Sequence, residues 1–156
     1  MTTICWDGKI LAADTRYIEG DSLFGYCRKI LLLNNGQVLA AAGDVGFLRT
    51  LRDCLENNKN IAEAITKKEL NKFGALLLDP SGVMWYFDST YKGFIPLDSH
   101  IAAIGSGGEI AIAFMRHRYT AVNAIKAVAR THVTTNNIID TYDPETQELT
   151  LAPFPE

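Results

Sequence analysis

The spacing of apolar residues along the chain switches between two periods. The first part carries short apolar runs punctuated by turn signals: residues 2–6 and 9–13 flank Asp7-Gly8, and residues 28–34 and 37–43 flank Asn35-Gly36. Asp-Gly and Asn-Gly are the preferred pairs for two-residue turns whose twist matches paired strands, so two β-hairpins are predicted. Asp44 then offers an N-cap, and Leu48, Leu51, Cys54 and Leu55 follow at helical spacing. A second helical stretch is expected over 61–70. Strands resume at 73–78, turn at Asp79-Pro80-Ser81-Gly82, and continue through 83–87, 93–97 and 101–104. Beyond Gly105-Ser106-Gly107-Gly108 the helical period returns. Ile110, Ala113, Phe114, Ala121, Val122, Ile125, Val128 and Ala129 share a face, and Ser106 and Glu109 have capping-box spacing. A last hairpin joins 138–141 to 149–151, and Pro153-Phe154-Pro155-Glu156 reads as a tail.

The order is therefore β block, two helices, β block, two helices, short β. Two antiparallel sheets stacked face to face with helices outside satisfy it, an α+β fold in four αββα layers. With 156 residues, 47% of them hydrophobic, the chain supports one domain over 1–156 with a sizeable core. A net charge of −3 gives no electrostatic case for nucleic acid or an anionic membrane. No apolar run approaches the ~18 residues of a membrane span. The start lacks the basic and apolar regions of a signal peptide. Cys5, Cys27 and Cys54 are odd in number and far apart, which fits reduced thiols in a cytoplasmic setting and neither a disulfide framework nor a zinc knuckle. His100, His117 and His132 show no ligand spacing.

Turn arithmetic sharpens the picture. A two-residue turn at Asp7-Gly8 sets Trp6 opposite Lys9, Ile4 opposite Leu11 and Thr2 opposite Ala13, leaving Asp14 beside the chain start. The same arithmetic at Asn35-Gly36 sets Lys29 opposite Ala42, next to Gly43. If the hairpins neighbour each other in one sheet, Thr2, Asp14, Lys29 and Gly43 meet at one sheet end. Strict alternation puts Asp14 on the face of Thr3, so a twist or bulge is required there.

Each of these residues has a chemical use if Met1 is removed, which a small second residue favours. Thr2 then carries a hydroxyl nucleophile and a free α-amine that titrates near pH 8, a base suited to neutrality. Lys29 nearby depresses that amine further, and Asp14 holds Lys29 charged and aimed. The Gly43 N–H, just ahead of a helix capped by Asp44, can donate to a developing oxyanion. Plainer readings stand alongside: Asp14 and Lys29 as a surface ion pair, Ser106 as a helix cap, Cys5 as core packing.

At Thr2-Thr3-Ile4, Ala12-Ala13-Asp14-Thr15-Arg16, Arg28-Lys29-Ile30, Ala42-Gly43 and Ile104-Gly105-Ser106-Gly107-Gly108 the sequence resembles the N-terminal nucleophile hydrolases, specifically proteasome β-type subunits and the HslV-type peptidases. The resemblance runs to about Asn136. It implies a threonine peptidase with Thr2 as mature N-terminus and nucleophile, Asp14 and Lys29 as the charged pair, Gly43 as oxyanion donor, Ser106 near the α-amine and Arg16 close by. It also implies a pocket of Tyr17, Cys27, Leu31, Ala41 and Val45, apolar and without an acid or lysine among the five, preferring apolar residues before the cut bond. Stacked homo-oligomeric rings, peptide or unfolded-protein substrates, a possible ATP-driven unfoldase partner and no metal or organic cofactor complete what it implies. Two departures stand out. The family's acidic residue has no counterpart in Arg130-Thr131-His132-Val133-Thr134-Thr135, with no acid until Asp140, and the chain is short around its first helix pair. The monovalent-cation site of HslV-type peptidases is not carried over to this stretch. The rival readings are an amidohydrolase of the same fold acting on a small-molecule amide, and a ring-forming scaffold without catalysis.

Overall fold

A computed structural model describes residues 2–19, 22–65 and 73–155. In chain order it contains β1 (Ile4–Trp6), β2 (Leu11–Asp14), β3 (Arg16–Glu19), β4 (Ser22–Tyr26), β5 (Ile30–Leu32) and β6 (Val38–Ala42). Helices α1 (Val45–Glu56) and α2 (Ile61–Ala64) follow, then β7 (Gly74–Leu78), β8 (Met84–Asp88), β9 (Gly93–Pro96) and β10 (Ala102–Ile104). The chain ends with α3 (Gly108–Arg116), α4 (Ala121–Ala129), β11 (Ile139–Asp143) and β12 (Glu148–Thr150). One antiparallel sheet runs β10-β1-β2-β11-β12, a second runs β5-β6-β7-β8-β9, and β3-β4 form a separate ribbon.

Alternation along the strands builds the layers. Ile4, Trp6, Leu11 and Ala13 of the first sheet turn inward and pack on Ile30, Val38, Ala40 and Leu76 of the second. Cys5 and Ala12, one residue out of phase, turn outward against Ala111, Ala124, Ile125 and Val128 of α3 and α4. On the other side Leu48 and Leu51 of α1 cover Leu39, Ala41 and Leu77. The result is the four-layer αββα arrangement expected of the sequence. No helix among the described residues is long and apolar enough to cross a membrane.

Several expectations are corrected. The two hairpins do not share a sheet; they belong to the two stacked sheets, one above the other. Neither has a two-residue turn. Asp7 Oδ1 accepts from Lys9 N at 2.9 Å and Ile10 N at 2.8 Å, spreading the first turn so that Ile4 faces Ala13 and Trp6 faces Leu11. In the second, Leu33 N donates to Gln37 O at 2.8 Å around a three-residue loop whose Gly36 has φ +84°, and Ile30 faces Ala40. The capping box does not form: α3 starts from Gly107 with no side-chain cap. The expected stretch over 61–70 begins as α2, and residues 66–70 lie outside the described residues. The β3–β4 ribbon is an addition to the sequence reading; its register shifts between Tyr17 and Ile18, which blurs the alternation that would betray it.

Candidate active site

Because the two sheets stack, the end of β2 and the residue before β5 come together at one end of the sandwich. There Lys29 Nζ donates to Asp14 Oδ1 at 2.8 Å. Thr2 Oγ1 donates to the same oxygen at 2.8 Å, and Thr3 N donates to it at 3.0 Å. The other carboxylate oxygen accepts from Arg16 N and Asn136 N, each at 3.3 Å. Asp14 is fully buried and Lys29 only 6% exposed, so this is no surface bridge. A charge at such depth persists when it is paired and its remaining lone pairs are satisfied, and these donors do that.

The N-terminal segment is held with equal closeness. Asp14 N donates to Thr3 O at 3.1 Å, extending the β1–β2 ladder. Gly105, at φ +93°, lies so near the Thr2 carbonyl that any Cβ there would overlap its oxygen. A Cβ on Gly107 would likewise meet Thr3 Oγ1. The glycine-rich turn thus serves backbone approach to Thr2 and Thr3, which the helix-cap reading of it does not capture.

The stretch lacking an acid is joined to the site by hydroxyls and an amide. Ser106 Oγ and Thr134 Oγ1 lie 3.2 Å apart, and Thr3 Oγ1 and Thr135 Oγ1 2.7 Å apart. Asn136 Oδ1 accepts from Thr15 N at 3.0 Å while its own N–H reaches Asp14. The Arg16 guanidinium donates to Val133 O. Thr3, Thr15, Thr134, Thr135 and Asn136 were not singled out from sequence. The available signal was an uncharged polar run ahead of a strand, made of residues that bury well once paired. Asp140 sits elsewhere: it is buried against Arg28 at 2.6 Å and accepts from Ala152 N at 2.9 Å, with no partner for its second oxygen among the described residues.

A cleft opens over this cluster, lined by Thr2, Arg16, Tyr17, Ile18, Cys27, Arg28, Lys29, Ala41, Gly43, Asp44 and Leu48, with a cavity volume of about 30 Å³. It thus gathers most of the sequence candidates around Thr2. Asp14 lies beneath, while Ser106 is not among the lining residues and its hydroxyl pairs with Thr134 Oγ1. Leu31 is not among the lining residues; it packs into the cluster under α1. Val45 opens α1, and its side chain lies outside what is described. The rim also carries Asp44, whose side chain caps α1 by accepting from Gly46 N at 2.8 Å. Gly43 adopts φ +126°, which turns the chain from β6 into that cap. Burial pushes the Cys27 thiol up, against an opposing pull from Lys29. Burial, with Asp14 and Asp7 adding to it, pushes Cys5 up to about 12, so Cys5 is a packing residue and no nucleophile. Among the described residues no group of three or more His, Cys, Asp or Glu could hold a metal ion.

No protein-family model and no curated protein matches the sequence. Solved structures do match. Eukaryotic HslV from Trypanosoma brucei superposes with a TM-score of 0.66 at 19% identity, over 90% of this chain and 97% of that one. The chain shares the HslV fold. Thiobacillus denitrificans BPH gives 0.67 at 18% identity over 97% of this chain and 98% of its own. BPH in complex with epoxomicin gives 0.69 at 17%, over 98% of this chain and all of that one. The structural likeness covers 90–98% of the chain, and so reaches beyond Asn136, to which the sequence resemblance did not extend.

Proposed function

We propose that the chain is a threonine-type endopeptidase subunit, acting through Thr2 after Met1 is removed. One observation carries this reading: the Thr2 hydroxyl and the Lys29 ammonium share a single buried oxygen of Asp14 beside an open cleft. Cutting the Met1–Thr2 bond converts the Thr2 nitrogen from an amide into an amine. A neighbouring cation disfavours the protonated amine, leaving a base at neutral pH. The amine takes the Thr2 Oγ1 proton as that oxygen attacks the peptide carbonyl. The Gly43 N–H donates to the oxyanion, a contact typically worth ~3 kcal/mol in the transition state. The amine returns the proton to the leaving nitrogen, and water then hydrolyses the acyl ester by the same route. Asp14 holds Lys29 in place, Ser106 pairs with Thr134 beside the glycine-rich turn, and Arg16 fixes the loop at Val133.

The small cavity beside Tyr17, Cys27 and Ala41 favours a small apolar side chain before the cut bond, and Asp44 and Lys29 mark its polar rim. Homo-oligomeric rings in the cytoplasm, with the sites inside and an unfoldase feeding them, are the setting that suits a protein of this fold. The HslV and epoxomicin-bound neighbours support the reading as a whole.

The test is cleavage of a peptide library by wild type and Thr2→Ala, each with and without epoxomicin. The reading expects apolar-directed cleavage that epoxomicin blocks and Thr2→Ala abolishes. Cleavage surviving in Thr2→Ala, or cutting after lysine and arginine, would overturn it. Sizing adds the assembly: a 17.2 kDa monomer would favour the small-molecule amidohydrolase over the ring.

A further inference from the structure

Adjoining the first at Arg16 lies a second cavity of about 460 Å³, whose lining includes neither Tyr17 nor Cys27. Arg16 lines both, so the two are adjoining halves of one groove across the site. The second half is built from three separate parts of the chain: Arg16 on β3, Lys126 and Arg130 at the end of α4, and His132 on the loop that follows. Among the described residues no Asp or Glu lines it. Its size falls within the ~300–1,000 Å³ typical of ligand pockets.

The charge here runs against the balance of the molecule, whose net charge is −3. Lys126 and Arg130 are four residues apart, a spacing at which like charges repel on a helix. Among the described residues neither has a carboxylate partner. The helix dipole accounts for a cation in the last turn of α4, yet not for Arg16 and His132 converging on the same hollow from other segments. The Arg16 guanidinium spends one donor on Val133 O, and its other guanidinium N–H groups have no acceptor among the described residues. Thr135 and Asn136 form the floor and are both consumed by the site network, which couples the hollow's base to Asp14.

We propose that this cationic hollow binds acidic side chains of the substrate segment that follows the cut bond. The inference rests on the peptidase reading for its occupant. A residue seated in the apolar cavity puts its carbonyl at Thr2, and the chain beyond the cut runs over Arg16 into the basic half. Carboxylates there meet cations that are otherwise unpaired, and the local positive potential gathers acidic segments towards the site.

Three quenched peptides test this, identical up to the cut bond and carrying Asp-Glu, Ala-Ala or Lys-Lys after it. A fourth carries Asp-Glu before the bond. Cleavage is measured on wild type and Lys126→Glu/Arg130→Glu, binding by fluorescence anisotropy on Thr2→Ala with and without the same two changes, and size by sedimentation. Wild type should prefer Asp-Glu after the bond by about tenfold over Ala-Ala, with the gap closing at high salt. The double variant should lose that preference while cutting the Ala-Ala peptide normally. Equal handling of all peptides, or a preference only for acids before the bond, would overturn the proposal. A change in assembly size in the double variant would overturn it too, by making the hollow a contact between copies. Should the acidic peptide bind tightly with no peptide cut, the hollow stands and the peptidase reading falls.

Discussion

Lys29 and Asp14 approach to 2.8 Å although they come from different sheets, one preceding β5 and the other ending β2. Their contact closes the end of the sandwich beneath Thr2, so the packing of the two sheets sets the geometry of the site. Replacing Lys29 by Met leaves the Asp14 charge buried with neutral donors only. That should cost about 3 kcal/mol, at the low end for a broken buried pair because four other hydrogen bonds remain. Lys29→Met/Asp14→Asn should regain much of that stability and no activity. Urea denaturation beside peptidase assays checks both. Full activity in the double variant would remove the pair from the mechanism.

Gly105 has a comparable structural claim on Thr2. Gly105→Ala adds a Cβ into the Thr2 carbonyl at a backbone angle that disfavours any side chain. The expected loss exceeds about 2 kcal/mol, a fall of roughly 5 °C in Tm for a domain of this size. Calorimetry and epoxomicin labelling should fall together. Gly82→Ala shares the positive φ but meets open space, and should cost less and leave labelling intact.

The tail that the sequence left without a role is fastened. Phe154 stacks on Tyr26 with ring centres 4.9 Å apart and lies 3.6 Å over the Arg28 guanidinium, which also donates to Asp140 and Ala152 O. Arg28 in turn lines the cleft. Phe154→Ala should cost about 1–2 kcal/mol and raise KM more than it lowers kcat, since the cleft wall loosens while Thr2 stays put. An unchanged melting temperature in a thermal scan would refute the strap.

Cys27 provides a reporter inside the cleft. Its thiol is raised by burial, so thiolate, the form that alkylates, appears only above the ordinary thiol range. In a Cys5→Ala/Cys54→Ala background, iodoacetamide should react slowly at pH 7.5, and the rate should climb with pH beyond 9. Lys29→Met removes the cation that most favours the thiolate and should move the profile still higher. A rate already at its plateau at pH 8 would contradict this environment.

Most of the fold was legible because turn residues and periodicity agree. Asn35-Gly36 and Asp79-Pro80-Ser81-Gly82 mark real reversals, and Asp44 caps α1 as read. Register was not legible, because a glycine of positive φ serves two-, three- and four-residue turns alike; the Asp7 carboxylate and the Leu33–Gln37 hydrogen bond close the longer ones. The candidate residues were named by likeness and chemistry, but what joins them is the stacking of two sheets, which no local pattern states. Thr135 and Asn136 escaped notice because an uncharged polar run reads as loop until the fold buries it.

The most direct measurement is the intact mass of the purified, assembled protein. The chain should be lighter than its sequence by one methionine, with Thr2 bearing a free amine. A mass that retains Met1 throughout would leave an amide where the base is required, and would contradict the proposed chemistry outright.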